Sequence, residues 1–242
     1  MPSRTRDRES TMVTADLVIL TIRDGQLRVL LVTRRNQPFK GMHALPGGFL
    51  RAGETLDETA VRELREETSI DGGSLGLEQV QVYSSPDRDP RGRVITCSYL
   101  AIAPNLPEPK SDTDAASALF VSVDDVLDGR TPLAFDHRAI LRRARDRARA
   151  KLQYTTIATS FCGPQFTISE LREVYEKVWG VELDRANFHR RVTDSPGFVV
   201  QTGDKRATTG RPATLYRAGD VRLLLPPIMF PSRGDGEGLD YA

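Results

Sequence analysis

The sequence predicts an α/β (α+β) chain made of two dissimilar domains, and three observations carry that reading. Hydrophobic residues make up 39% and charged residues 28% of the 242 positions, the balance of a globular chain long enough for one large or two small domains. Before Asp136 the chain alternates short β-branched runs with turn signals, and after it the apolar residues fall at helical spacing. Charge divides at the same place: residues 1–135 carry 16 Lys+Arg against 20 Asp+Glu, and residues 136–242 carry 18 against 13. Within 136–217 the count is 16 against 9, so this half is suited to a polyanion, although a solvated basic face is the commoner reason for such an excess.

Several classes are excluded at once. No apolar run approaches the ~20 residues of a membrane-spanning helix. Met1 to Thr11 is polar, so no signal peptide is expected. Cys97 and Cys162 are too few for a disulfide framework or a cysteine zinc site. The expectation is a cytoplasmic protein with no membrane attachment.

In the first half, Ala15–Ile22 and Leu27–Thr33 flank Asp24-Gly25, the signature of a hairpin. Gln79–Tyr83, Val94–Ile102 and Ala118–Val123 read as further strands, separated by a helix at about Leu56–Thr68 and followed by a short one near Asp124–Leu127. Pro104, Pro107 and Pro109 mark a stiff loop.

The second half opens with a linking helix over 136–152. There Ile140, Ala144, Ala148 and Leu152 recur every four residues among Arg138, Arg142, Arg143, Arg145, Arg147 and Arg149, and Asp136 is placed to cap it. Thr167 and Glu170 form a capping box for a helix over 168–179, with Leu171, Val174, Tyr175 and Val178 on one face and Gly180 at its end. Asp184 can cap a third helix, Arg185–Thr193. Gly197–Thr202 and Ala213–Arg217 then read as a hairpin around a basic Gly203–Arg211 loop, and residues 218–242 as a loosely packed tail.

The sharpest chemistry lies between Gly48 and Ile70. Thr55 and Glu58 form a capping box, and on the helix that follows Glu63, Glu66 and Glu67 stand at i, i+3 and i+4, on one face. Leu56, Ala60 and Leu64 line another face. Three crowded carboxylates repel one another unless a cation sits among them, and a hard ion such as Mg²⁺ takes oxygen ligands of this kind. The plain alternative is a solvated acidic helix paired with Arg62 and Arg65.

The complete pattern resembles the Nudix box, Gly-x5-Glu-x7-Arg-Glu-aliphatic-x-Glu-Glu-x-Gly-aliphatic, matched by Gly48, Glu54, Arg62, Glu63, Leu64, Glu66, Glu67 and Ile70. Ser69 stands where the pattern has glycine, so the turn after the helix must strain or reroute. Pro38–Phe49 and Asp87–Arg93 resemble the ADP-ribose pyrophosphatase branch. That resemblance implies Mg²⁺ held by Glu63, Glu66, Glu67 and the Gly47 carbonyl around a diphosphate, in a nucleotide-diphosphate-sugar pocket bounded by Gly47, Gly48, Phe49, Arg62, Arg91 and Arg93. His43 is given no catalytic role.

The helices 168–179 and 185–193 with the hairpin are the elements of a winged helix-turn-helix. Phe188 and Val192 can anchor the third helix and leave Arg185, Asn187, His189, Arg190 and Arg191 outward for base edges and phosphates, with Lys205, Arg206 and Arg211 on the wing. A small helical module with a solvated basic face is the bland alternative.

The combination is more specific than either part. A Nudix domain over 12–135, Leu133–His137, Phe166–Leu171, Asn187-Phe188 and Gly210–Tyr216 together resemble the Nudix-related transcriptional regulators of NAD metabolism, the NrtR family, over residues 12–217. In that family the Nudix domain senses ADP-ribose, a winged helix (here 153–217) binds a palindromic operator as a homodimer, and the ligand releases the DNA. The alternative is a Nudix hydrolase cleaving ADP-ribose to AMP and ribose 5-phosphate, with a water-activating base drawn from Glu108, Asp112 or Asp114.

Overall fold

The computed structural model describes residues 10–110, 115–207 and 212–230. The chain separates into two compact units, Met1–Arg145 and Asp146–Ala242.

The first unit is built on a mixed sheet. Its strands are β1 (Met12–Arg23), β2 (Gln26–Arg34), β3 (His43–Ala44), β4 (Gly47–Phe49), β5 (Glu78–Tyr83), β6 (Val94–Ile102) and β7 (Ala115–Ser122). The path runs β3-β2-β1-β6-β5, with β4 also paired to β1 and β7 to β2. The predicted hairpin forms: Asp24 and Gly25 take φ of 49° and 69°, the left-handed pair a two-residue turn between twisted strands requires. The β1–β6 pair is parallel, from Met12↔Val94 to Leu20↔Ile102, which places β1 at the centre. Ala15, Leu17 and Ile19 are fully buried, and so are Val18 and Leu20 on the opposite face, so β1 is covered on both sides.

Helix α1 (Leu56–Thr68) starts at the capping box of Thr55 and Glu58 and lays Ala60 and Leu64 on Ala15, Leu17, Ile19, Cys97 and Tyr99. Ser69 does not reroute the chain. It adopts the left-handed conformation itself, with φ 58° and ψ 16°, while its N–H bonds the Arg65 carbonyl and its Oγ donates to the Lys110 carbonyl. A short α2 (Val123–Leu127) follows β7.

Helix α3 (His137–Tyr154) ends two residues beyond the linking helix expected, and the division between the units falls inside it rather than before it. Ile140, Ala144, Ala148 and Leu152 are all fully buried, as their spacing predicts. Asp136 stands at the helix start, its carbonyl accepting the Ile140 N–H, and its carboxylate takes two hydrogen bonds from Arg88, at 2.9 and 2.7 Å.

In the second unit, α4 (Ile168–Trp179) and α5 (Arg185–Thr193) have the predicted limits, fixed by the Thr167–Glu170 capping box, by Gly180 at φ 69° and by the Asp184 cap on the Asn187 N–H. Tyr175 packs edge-on against both Trp179 and Phe188, and the Trp179 indole N–H donates to the Arg149 carbonyl. Strands β8 (Val199–Arg206) and β9 (Ala213–Ala218) form the hairpin, with Gly203–Arg206 in the strand rather than in the loop expected there. Residues 221–230 are not loosely packed. Leu224 and Ile228 are buried, their N–H groups bond the carbonyls of Tyr154 and Gln153, and Phe230 meets the Trp179 ring at 5.2 Å.

Ser69→Gly is expected to stabilise the protein by up to about 1 kcal/mol, because glycine adopts the left-handed turn without the penalty of a β-carbon. A shift of the urea midpoint to higher concentration checks it.

Candidate functional site

The turn between β3 and α1 brings Gly47 and Gly48 against the carboxylates of α1. Gly47 sits at φ 153°, and a β-carbon there would lie 2.2 Å from the Ala15 carbonyl. At Gly48 a β-carbon would fall 2.3–2.7 Å from the Glu63 carboxylate. Only glycine lets the chain pass this close.

Arg62 organises the surroundings. Its guanidinium donates to both carboxylate oxygens of Glu54 at 2.6 and 2.9 Å, to Glu63 at 2.6 Å, to Glu66 at 3.3 Å and to the Phe49 carbonyl at 3.1 Å. The Arg62 bond above all holds the Glu54 carboxyl down to about 2. Arg51 grips Glu66 with two further bonds, at 3.1 and 2.9 Å. The cations between the glutamates are thus Arg62 and Arg51; Arg65 is not among the partners found for them.

Glu67 is in a different position. It accepts the Gly47 N–H at 2.9 Å, and burial pushes its carboxyl up to about 8. Burial raises Glu63 as well, against the pull of Arg62.

Glu63, Glu66, Glu67, Gly47, Gly48 and Phe49 line a cavity of about 400 Å³, within the range that holds small ligands. The same cavity is also lined by basic and aromatic residues: Arg34, Arg51, Arg88, Arg91, Phe135 and His137. Arg91 is therefore a cavity residue, ion-paired to the buried Asp89 at 2.6 Å. Arg62 and Arg93, which the resemblance assigned to the pocket, are not among the lining residues; Arg62 acts behind it, and Arg93 donates to the Ser84 carbonyl.

Asp16, Arg34, Arg51, Arg88, Phe135 and His137 line the cavity without having been assigned to it from the sequence, although Arg51, Arg88, Phe135 and His137 fall in the Gly48–Ile70, Asp87–Arg93 and Leu133–His137 stretches singled out there. Arg88 is almost wholly enclosed, 3% exposed, between Asp136 and Asp16. His137 accepts the Leu45 N–H through Nδ1 at 2.9 Å, and burial lowers its affinity for a proton.

The donor chemistry of Glu63, Glu66 and Glu67 fits a hard divalent ion, and at Glu67 burial outweighs the pull of Arg34. The side chains are not gathered about one point, however: among the described residues no group of three His, Cys, Asp or Glu side chains stands close enough to hold a metal. Arg51 occupies Glu66 in its place. Of the possible bases, Glu108 is ion-paired with Arg23 and does not line the cavity, while Asp112 and Asp114 lie outside the described residues.

On the second unit, Phe188 and Val192 are buried and Arg185, Asn187, His189, Arg190 and Arg191 are exposed, as expected of a recognition helix. Arg190 donates to the Asn187 amide oxygen at 3.1 Å, and Arg191 to the Met229 carbonyl. Lys205 is exposed on β8, whereas Arg206 bonds Glu170 at 2.7 Å and the Gln165 carbonyl, joining the hairpin to the start of α4. Arg211 lies outside the described residues.

A carboxylate helix beside a diglycine turn on a mixed sheet, followed by a helix-turn-helix with a wing, defines a Nudix domain joined to a DNA-binding module. Residues 12–144 match the NUDIX domain family, and residues 158–218 match the NrtR DNA-binding winged helix domain. The chain is 37% identical to the ADPR responsive transcriptional repressor NtrR of Acinetobacter baylyi, across 87% of this chain and 83% of that one. It is similar to the crystal structure of Shewanella oneidensis NrtR complexed with a 27mer DNA, at 33% identity and a TM-score of 0.67, over 88% of this chain and 99% of that one. The NUDIX domain of the same Shewanella protein, crystallised with ADP ribose, matches at 34% identity and a TM-score of 0.54, over 58% of this chain and 90% of that one. The chain belongs to the NrtR family of Nudix-related regulators.

Removing Arg62 takes from Glu54 and Glu63 the guanidinium they share, so Arg62→Met is expected to lower the urea midpoint of unfolding. The buried His137 gives a pH signature. Its folded-state pKa lies below the unfolded 6.5, so the unfolded chain takes up the proton first as pH falls. The stability it contributes is complete above about pH 6.5 and is lost below it. The gap in urea midpoint between the wild type and His137→Gln is expected to narrow from pH 8 to pH 5.

Proposed function

We propose that the chain is a transcriptional repressor that binds operator DNA through α5 and the β8–β9 wing and is released when ADP-ribose occupies the Nudix cavity. The observation that carries this reading is the coexistence in one chain of an arginine-lined Nudix cavity and an exposed Asn187/Arg190 pair on a helix anchored by Phe188 and Val192. The operator is palindromic and met by a homodimer, and the regulated genes serve NAD biosynthesis or salvage in the cytoplasm; family membership supports these points. The matches to an ADPR-responsive repressor and to a DNA-bound relative support the effector and the DNA. No helix among the described residues is long and apolar enough to cross a membrane.

Each half has a chemical task. Arg34 and Arg91 present guanidiniums to a diphosphate, while Arg88 stays committed to Asp16 and Asp136, and the glycine pair leaves room for the approach. When Mg²⁺ is bound, Glu63, Glu66, Glu67 and the Gly47 carbonyl would hold it, and it would neutralise the diphosphate. Arg51 must then leave Glu66.

In the DNA module, Asn and Arg side chains read adenine and guanine edges, and Arg185, His189, Arg191, Lys205, Arg206 and Arg211 supply phosphate contacts, Arg206 on release from Glu170. The signal passes through α3, whose first turn is tied to the cavity wall by Arg88 and Asp136. A ligand shifts an equilibrium only by its differential affinity for the two states, so ADP-ribose binds the DNA-free arrangement better.

The complete set of Glu63, Glu66 and Glu67 on one cavity favours a second reading, a Nudix hydrolase of ADP-ribose. Repression without efficient turnover remains the better reading, since Glu66 is held by arginines and Glu108 by Arg23. Release of AMP with Mg²⁺ is expected to be absent or far below the ~1–10³ per second of ordinary enzymes; rates in that range would reverse the ranking.

ADP-ribose is expected to weaken binding to the operator about 5–150-fold in a gel-shift titration. Asn187→Ala and Arg190→Ala each cost ~1–3 kcal/mol of operator affinity. Their losses are expected to add incompletely, because the two side chains are hydrogen-bonded to each other.

A further inference from the structure

Residues 221–230 lie beyond the stretch that matches the winged helix family, yet they complete the end of a helix. The last four carbonyls of an α-helix have no partner inside it. In α3 they belong to Lys151, Leu152, Gln153 and Tyr154. The Lys151 carbonyl accepts the Thr155 N–H at 3.0 Å, and the Leu152 carbonyl accepts the Tyr175 hydroxyl at 3.1 Å. The other two are answered from far along the chain: Gln153 by the Ile228 N–H and Tyr154 by the Leu224 N–H, both at 2.9 Å. Leu224 and Ile228 are buried, so the segment forms a strap drawn across the end of α3.

The strap also reaches the recognition helix. Val221, at its start, lies against the Gly197 turn that follows α5, where a β-carbon on Gly197 would stand 2.7 Å from the Val221 side chain. Near its end the Met229 carbonyl accepts from Arg191 of α5 at 3.3 Å. Phe230 is then fixed from two helices. Its N–H donates to the Gln153 amide oxygen at 3.3 Å, and its ring meets Trp179 edge-on at 5.2 Å. The ring is therefore held by α3 and α4, one residue away from the carbonyl that holds α5.

Helix α5 needs such a hold. It is nine residues long, and a helix below ~12–15 residues is marginal unless its neighbours fix it. Phe188 and Val192 bury one face, and Arg191 stands on the flank of that face, where the bond to Met229 opposes a roll of the helix. Hydrogen bonds to base edges demand a closely defined pose. The attraction of a basic surface for phosphates does not, and it acts on every sequence alike.

We propose that Phe230 is a positioning residue for base readout: by fixing Met229 on Arg191 it sets the pose of α5, and so sets the preference for the operator over other DNA rather than the affinity for DNA in general. The proposal rests on the reading of the second unit as the operator-binding module, and adds to it a part outside the helix-turn-helix and the wing. A guanidinium carries five donors, so Arg191 serves the strap and a phosphate together.

The test titrates full-length wild type, Phe230→Ala and Phe230→Tyr at one salt concentration, by fluorescence anisotropy, with two duplexes. One is the operator that the wild type selects from a random-sequence pool, and the other is a scrambled duplex of the same length. An edge-on aromatic pair shifts an equilibrium by about 3–10-fold. Phe230→Ala is expected to lose about that factor on the operator and to stay within about twofold of the wild type on the scrambled duplex. Phe230→Tyr keeps the ring edge against Trp179 at a partly exposed position, and is expected to keep the wild-type ratio of the two affinities. The proposal is overturned if Phe230→Ala keeps that ratio, whether both affinities stand or both fall together as in a module that is merely less folded. It is overturned equally if Phe230→Tyr loses as much as Phe230→Ala. A wild type that selects no sequence overturns instead the reading of the second unit on which it rests.

Discussion

A buried guanidinium joins the cavity to the helix that leaves it. Arg88 reaches from the loop after β5 to Asp16 on the central strand and to Asp136 at the foot of α3. A charge enclosed to that degree is tolerated only when paired and fully hydrogen-bonded, and removing one partner costs far more than the pair contributes. The three segments are consequently placed together or not at all. Once Asp136 is fixed, Phe135 is forced into its left-handed backbone on one side and His137 is delivered to the Leu45 N–H on the other. The wall of the cavity and the first turn of α3 therefore behave as one object.

A second constraint sets what the cavity can do. The glutamates of α1 need positive charge, and in this structure arginines provide it: Arg62 from the same helix and Arg51 from the preceding turn. Glu67 lies deeper, with the Gly47 amide as its hydrogen-bond donor and Arg34 as a nearby cation. The site is thereby suited to hold a polyanion against its arginines and, with a divalent ion, against its carboxylates. Binding in such a site needs no attacking water, which is the physical sense in which a Nudix box can serve recognition without turnover.

Much of this was legible in the sequence where the signal was local. The limits of α1, α4 and α5 follow from capping residues within three positions of each helix start, and Glu63, Glu66 and Glu67 share a cavity because helical spacing puts them on one face. The two- and three-residue strands β3 and β4 carry no period to read. Arg88 and Asp136 are 48 positions apart, and only the topology of the sheet brings them together. Asp136 was legible as a helix start but not as the partner of Arg88, since a cap and an ion pair draw on the same carboxylate. Leu224, Ile228 and Phe230 pack on α3 and α4 without any regular spacing, so their segment read as a tail.

The proposed action of the ligand on DNA runs through the pairing of Arg88 with Asp136. By linkage, operator DNA must weaken ADP-ribose by the same factor that ADP-ribose weakens operator binding. The direct measurement is the affinity for ADP-ribose, with and without saturating operator, in the wild type and in Asp136→Asn, which keeps the shape of the side chain and removes its charge. Coupling through this pair gives a ratio of affinities of about 5–150 in the wild type and a ratio near one in the variant, with ADP-ribose still bound by both. A variant that retains the wild-type ratio would contradict it.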